Sequence, residues 1–329
     1  EDILYYDDSC YGGAAQMPDP DAYFEGIDTF VTRSSWSRGG IFTGLHAGPN
    51  YTLHGNYDSG NFVIYKDGVE WVCDLGSDNY NLRSYFMNAS YYRLSPEGAN
   101  TIVISGKDDM TSGQILRGES KTVRYESGDY GALSVVDMSG VYGKYVSSAK
   151  RGMLFTNNRE TIVVQDEIEL TESSEVWWFA HTKVARGSIT FSDDRRTAYL
   201  RSGGTVLRAS IVGGEGLAFT EVMDTYTTVC DGTFTEEESI AYCDAVAQNK
   251  GQREYDRSAF SKLAIHMENV RSAKFAVVFE FTNLLFTEPG YSYTPMDMWE
   301  ISDGDERLAK ILTSSPYGMA EEVERTGDA

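Results

Sequence analysis

The chain is short of positive charge: 28 Lys and Arg stand against 50 Asp and Glu in 329 residues, a formal net charge of −22. Nucleic acid and anionic membrane surfaces are bound by neutralising phosphate with Lys and Arg, so this balance excludes both as general partners. It also argues against a whole surface built to grip a polyanion, while leaving room for a local basic pocket. Long apolar runs are missing too, and no stretch approaches the roughly 20 residues that span a bilayer as a helix. Cysteine is scarce, with Cys10, Cys73, Cys230 and Cys243 alone, too few for a disulfide framework in a chain of this length. Cys230 and Cys243 are spaced to close a short loop in an oxidising compartment; reduced, partly buried thiols are the equal alternative. Neither a starting Met nor a signal-peptide pattern precedes Glu1, so the expectation is a mature or excised piece of a longer, exported protein. Histidine is rarest in its meaning: with only four in the chain, each one is worth locating.

What is present is a folding sequence. Hydrophobic residues make up 41% and aromatics 13%, with 22 tyrosines, which excludes a disordered chain. From about Phe30 short runs rich in Val, Ile, Thr, Tyr and Phe alternate with Gly, Asn, Asp and Ser. Asn61–Tyr65, Val69–Cys73, Thr101–Ser105, Thr161–Gln165, Val176–His181, Thr205–Ile211 and Lys274–Phe281 read as strands. Lys66-Asp-Gly-Val69 reads as a hairpin and Arg201-Ser-Gly-Gly-Thr205 as another turn. Many short strands without helical periodicity predict an all-β fold, a large two-layer antiparallel β-sandwich with minor helical decoration. Thr233–Val246, acidic in its first turn, is the clearest helix candidate. Residues 1–27 read as a linker or lead-in, 28–315 as the sandwich and 316–329 as an acidic tail.

The densest chemistry lies at His54-Gly-Asn-Tyr-Asp-Ser-Gly-Asn-Phe62. His54, Asn56 and Asp58 alternate, and on a strand alternate residues share a face. A face built only for the core is not spelled His-x-Asn-x-Asp, because each buried polar group needs a partner. Trp177, Trp178 and His181 read as core or inter-sheet residues, and His46 and His266 carry no motif. The sequons at Asn50 and Asn88 carry little information.

The markers Arg33-Ser-Ser-Trp36, His54 to Phe62, Trp71-x-x-Asp-Leu-Gly76, Tyr91-Tyr-Arg-x-x-Pro-Glu-Gly-Ala-Asn-Thr101, Lys150-Arg-Gly, Val163 to Ile168 and Val176 to Thr182 resemble, in order, the heparinase II/III-like C-terminal domain of polysaccharide lyases. They cover roughly residues 28–285. The resemblance implies a large antiparallel β-sandwich following an α/α-toroid domain of the same protein. It implies β-elimination of uronate-containing polysaccharides in a cleft between the two, and an extracellular, periplasmic or cell-surface location in a bacterium. Removing the C5 proton of a uronate requires a base, an acid for the leaving oxygen and donors for the developing charge. In the family the main Tyr and the carboxylate-neutralising residues come largely from the toroid, so the sandwich alone is expected to be inactive.

Residue by residue, the resemblance gives His54 a cleft-facing catalytic role, with a hydrogen-bonded structural His as the alternative. Asn56 stands where the family has a zinc-binding His, Asp74 on its carboxylate ligand, and Ala99 where a third ligand His stands. Asp74 is thus the remnant of a zinc site, and no cofactor is expected, since a closed zinc site needs about four donors. Asn56, Arg33 and Tyr91 are the candidate contacts to an acidic polysaccharide or oligosaccharide. Tyr80, Tyr85 and Tyr92 are further tyrosine candidates, and Arg93 a further carboxylate contact. Asp58 either orients His54 or caps a turn. Register through Asp67-Gly68 pairs Asp74 near Asn61 rather than beside Asn56. The competing readings are a non-catalytic carbohydrate-binding or structural β-sandwich module with a decayed metal site, and a scaffolding domain.

Overall fold

The computed structural model describes residues 17–52, 54–80, 91–105, 113–185, 187–223, 255, 259–282 and 291–299. The helix candidate Thr233–Val246, Cys10, Cys230, Cys243, Tyr85 and the acidic tail lie outside them.

Strands form where β-branched and aromatic residues alternate with polar ones and break at Gly, Asn and Asp. Five of them, β1 (Ala22–Phe24), β2 (Thr29–Arg33), β3 (Phe42–His46), β5 (Phe62–Lys66) and β6 (Val69–Val72), make a small antiparallel sheet in the order β1-β2-β3-β5-β6. Between β3 and β5 lies β4 (Gly48–Pro49), which joins the second sheet. The larger sheet has eleven strands, running β12-β13-β14-β16-β11-β10-β9-β8-β4, with two more on its long central pair. These are β7 (Ile102–Ile104), β8 (Glu119–Gly128), β9 (Gly131–Asp137), β10 (Val146–Thr156), β11 (Thr161–Thr182), β12 (Ile189–Phe191), β13 (Thr197–Ser202), β14 (Thr205–Gly213), β15 (Phe219–Met223) and β16 (Ser261–Thr282).

The two sheets pack face to face, the two-layer antiparallel sandwich that the sequence predicts. Phe30, Leu45, Phe62, Ile64 and Trp71 from the small sheet share one core with Met153, Phe155, Ile162, Val164, Trp178, Val277 and Phe279 from the large one. The hairpin at Asp67-Gly68 pairs Lys66 with Val69, and both central residues have positive φ, +54° and +77°, as a type I′ turn requires. Gly203 and Gly204 turn β13 into β14 with Ser202 opposite Thr205.

One reading differs from the structure. Thr161–Gln165 and Val176–His181 are one 22-residue strand, β11, whose register against β16 shifts between Glu169 and Val176. The polar residues 171–174 between the two runs form an irregularity within one continuous ladder. Residues ahead of 28 also contact the sheets, since β1 pairs with β2. Asp21 is buried and receives a two-pronged ion pair from Arg159, at 2.6 and 2.7 Å, together with the hydroxyls of Thr32 and Ser127.

The outer face of the large sheet is covered as well. Residues 291–299 lie over Leu133, Val135, Leu154, Val163, Val212 and Val278, with Tyr291, Met296 and Trp299 buried against them. Tyr293 Oη and the Met296 N–H both donate to Glu167 Oε1, at 3.1 and 2.8 Å, fixing this strap to β11.

Candidate functional site

The start of β5 and the end of β6 lie side by side at one end of the small sheet. The loops leaving them, 54–58 and 74–80, enclose a polar pocket of about 170 Å3. His54, Asn56, Asp58, Asp74, Ser77 and Tyr80 line it, with Leu94 as its apolar wall.

His54 does not sit on a strand. Its φ is +65° and its side chain is exposed, with its ring 6.1 Å from that of Tyr80. The Gly55 N–H donates to Thr52 O and the Asn61 N–H to Asp58 O, so 54–61 runs through turns rather than a strand. Gly, Asn and Asp turn chemistry overrides the alternation that reads as a strand face. Gly60 needs both its φ of +83° and its missing side chain, since a Cβ there would lie 2.5 Å from Met138 Sδ.

Asp74 does meet Asn61, as the hairpin register predicts. Asn61 Nδ2 donates to Asp74 Oδ2 at 2.6 Å, and the Gly76 N–H donates to Asp74 Oδ1 at 2.6 Å. Asp58 faces His46, whose Nε2 is 3.9 Å from its Oδ1. His46 Nδ1 is 2.9 Å from Thr29 Oγ1, which leaves Nε2 as the ring nitrogen facing Asp58. His46, without a motif in the sequence, is therefore part of the pocket's surroundings.

Burial pushes the Asp58 carboxyl above its ordinary value; His46 opposes this and the neighbouring Asp74 carboxylate adds to it. A carboxyl raised on folding contributes stability when protonated and loses it as pH rises through its folded value. Asp58→Asn is therefore expected to melt higher than the parent at pH 7. The gap should close as pH falls below the ordinary carboxyl value of about 3.9. A gap that stays constant from pH 3 to 8 would show that Asp58 is not the titrating group.

Two candidate contacts lie away from the pocket lining. Tyr91 is 2% exposed, because strand-proximal aromatics at this position fill the interior beneath the loops. The Arg33 guanidinium sits 3.7 Å over the ring of Trp36 and 5.2 Å from that of Phe42. Arg93 is structural: it donates to the carbonyls of Leu75 and Ser77 and so shapes the 74–80 loop. Trp178 and His181 are fully buried, as expected, while His266 stacks on Trp177 at 3.8 Å and holds Glu175 at 2.7 Å. Asn50 is engaged through Nδ2 with Gln114 and Ile115 and buried, which removes that sequon as a sugar acceptor.

Beneath the pocket lies a set of buried polar residues whose role sequence reasoning missed. Arg151 donates through Nε and Nη2 to both oxygens of Asp166, at 2.8 and 2.9 Å, and through Nη1 to Gly60 O and Asn100 O, at 2.7 and 2.6 Å. Asn100 donates through Nδ2 to Phe62 O and Cys73 O, and its N–H donates to Asn61 Oδ1. Lys262 and Glu97, 165 residues apart and both fully buried, pair at 3.3 Å. Arg151, Asp166 and Asn100, each from one of the markers, thus belong to the scaffold of the pocket floor.

Zinc does not suit the residues at the positions that the resemblance assigns to it. The donor set there is an amide at Asn56, a carboxylate at Asp74 and a methyl group at Ala99. Zinc prefers imidazole and thiolate nitrogen or sulfur, and both Asp74 oxygens already accept hydrogen bonds. Among the described residues no three His, Cys, Asp or Glu gather into a metal-holding group.

Fold and site together define a large antiparallel β-sandwich domain with a polar, loop-walled pocket at the end of its smaller sheet. Residues 41–256 match the family model described as heparinase II/III-like, C-terminal, and the chain belongs to that family. Among solved structures it is similar to a heparinase III, at 17% identity and a TM-score of 0.61, over 84% of this chain and 38% of the other. It is likewise similar to the heparan sulfate lyase HepC from Pedobacter heparinus, at 14% identity and a TM-score of 0.62, over 85% of this chain and 39% of that one. The chain spans less than two fifths of the length of these relatives, and at such identities the likeness establishes the fold. No curated protein matches it. None of the described helices is long and apolar enough to cross a membrane.

Proposed function

We propose that the chain is the sandwich part of a polysaccharide lyase-like protein acting on uronate-containing polysaccharides. The observation that carries this reading is the pocket itself, where His54, Asn56 and Asp74 converge from two loops although the strand face expected for His54, Asn56 and Asp58 does not exist. Sugar hydroxyls and carboxylates are recognised by such mixed donors and acceptors on a rigid frame. His54, exposed and backed by Tyr80, serves as the group that moves a proton or neutralises developing charge at the uronate. Asn56 supplies amide donors to the substrate, and Asp74 orients the loop wall. An α/α-toroid domain of the same protein completes the cleft and supplies the remaining acid and base. Extracellular, periplasmic or cell-surface placement in a bacterium follows from the polymeric substrate.

Residues 1–329 alone are expected to release no unsaturated uronate product from heparin or alginate, followed by ultraviolet absorbance. The full-length protein with its upstream domain should do so on one member of a uronate-polysaccharide panel. There, His54→Ala should lower kcat/KM by roughly 10²–10⁴, the range for loss of a proton-transfer group. Robust turnover by residues 1–329, or full activity of His54→Ala, would overturn the assignment.

Asn56 and Ala99 favour a second reading, a non-catalytic carbohydrate-binding module whose metal site has decayed. Oligosaccharide binding by the full-length protein without any turnover would select it.

A further inference from the structure

The buried polar groups beneath the pocket form a chain with a single direction. Asn100 Nδ2 donates to two backbone carbonyls, which fixes its amide and leaves Oδ1 as an acceptor. The His181 Nδ1, 2.9 Å from that Oδ1, must then carry a proton. In the neutral imidazole this makes Nε2 an acceptor, and Tyr92 Oη, 3.1 Å away, donates to it. Tyr92 Oη in turn accepts from Lys262 Nζ at 3.0 Å. From the other side of Asn100, its N–H donates to Asn61 Oδ1 at 2.9 Å, and Asn61 Nδ2 donates to Asp74 Oδ2 at 2.6 Å. A cation stands at one end of this chain, a pocket carboxylate at the other. Lys262, Tyr92, His181 and Asn100 are fully buried and Asn61 nearly so.

We propose that Asn61 and Asn100 are positioning residues for the Asp74 wall of the pocket, and that this chain cross-links the pocket's segments by hydrogen bonds where relatives would use a metal ion. The physical argument is one of connectivity. Asn100 alone ties the end of β6 (through Cys73), the start of β5 (through Phe62 and Asn61) and the middle of the large sheet (through His181). A four-coordinate ion performs the same mechanical task of joining segments distant in sequence. Here the Asn61 amide occupies one Asp74 oxygen and the Gly76 N–H the other. Hydrogen-bonded networks of this kind are rigid when every member is satisfied.

The sugar-binding arm of the test rests on the function proposed above; the other arms do not. Amide hydrogen exchange of Gly76 reads the seating of Asp74 directly. In Asn61→Ala it should accelerate about tenfold, the equivalent of one net hydrogen bond, and in the milder Tyr92→Phe it should move the same way by about threefold. Leu200→Ala, a core cavity far along β13, should lower the melting temperature yet leave Gly76 exchange at the parental rate. Melting temperature should not change with EDTA or with zinc chloride alone. If alginate or heparan sulfate oligosaccharides bind the parent, Asn61→Ala should weaken them by about tenfold at a temperature where it is fully folded. Oligosaccharide binding untouched by Asn61→Ala would overturn the positioning role while leaving the lyase-like reading intact. Parental Gly76 exchange in both variants, or about one zinc per chain lost with EDTA alongside a fall in melting temperature, would overturn the clamp. A parent that binds no oligosaccharide would count against the proposed function, and the exchange and zinc arms would still decide the clamp.

Discussion

Replacing Arg151 by methionine is expected to destabilise the fold by roughly 3–5 kcal/mol, the cost of leaving a buried charge without its partner. Methionine fills much of the space but supplies none of the four hydrogen bonds that Arg151 makes. Asp166, fully buried, loses its counter-charge, and the carbonyls of Gly60 and Asn100 lose their donor. Burial already pushes the Asp166 carboxyl up, with Arg151 opposing. Without Arg151 it should rise further, so the deficit should shrink in acid, where Asp166 can protonate. Arg151→Met/Asp166→Leu should recover part of the loss, because an apolar pair of similar volume removes the charge. It should not recover all, since the two carbonyls stay unsatisfied at about 1–3 kcal/mol each. Denaturant unfolding of the three proteins at pH 5 and pH 7.5 measures this. A single variant within about 1 kcal/mol of the parent would mean that the floor of the pocket does not depend on Arg151.

This dependence also shows what was legible in the sequence and what was not. Local chemistry was readable: the Asp67-Gly68 hairpin, the Gly203-Gly204 turn and the neighbourhood of Asp74 and Asn61 all follow from strand period and turn residues. The His54 loop was misread because alternation over three polar residues is weak where Gly55 and Gly60 allow the chain to turn. Long-range polar pairs left no local trace. Lys262 falls in none of the strands, motifs or markers that the sequence offers, and only the fold brings it to Glu97 and Tyr92. Arg151 and His181 did stand inside the quoted markers, but a marker records that a residue is required, not whether it touches substrate or supports the residue that does. In this site the supporting residues outnumber the exposed ones, as expected where loops must be held rigidly over a sheet.

Gly152, the next residue after Arg151, supplies the second large effect. Adjacent residues on a strand face opposite ways, so while Arg151 points to the pocket floor, Gly152 faces the strap. A Cβ at Gly152 would lie 2.6 Å from both Met296 Sδ and the Trp299 ring, and Trp299 is 2% exposed. Trp299→Ala should cost roughly 3–5 kcal/mol through the cavity it leaves. Gly152→Val should lever the strap off the outer face of the sheet, exposing the Leu133, Val135 and Val163 surface and shifting tryptophan emission to the red. The two changes should not add. In Gly152→Val/Trp299→Ala the valine occupies space that the indole has vacated, so the double variant should be more stable than the sum by about 0.5–3 kcal/mol. Strictly additive losses would mean that Gly152 is not there to admit Trp299. Gly76 exchange in the pocket should stay parental in all three proteins at temperatures where they are folded, because the strap and the pocket floor lie on opposite faces of the large sheet. That separation distinguishes the glycine of the Lys-Arg-Gly marker, which serves stability alone, from the arginine beside it, which serves stability and the site together.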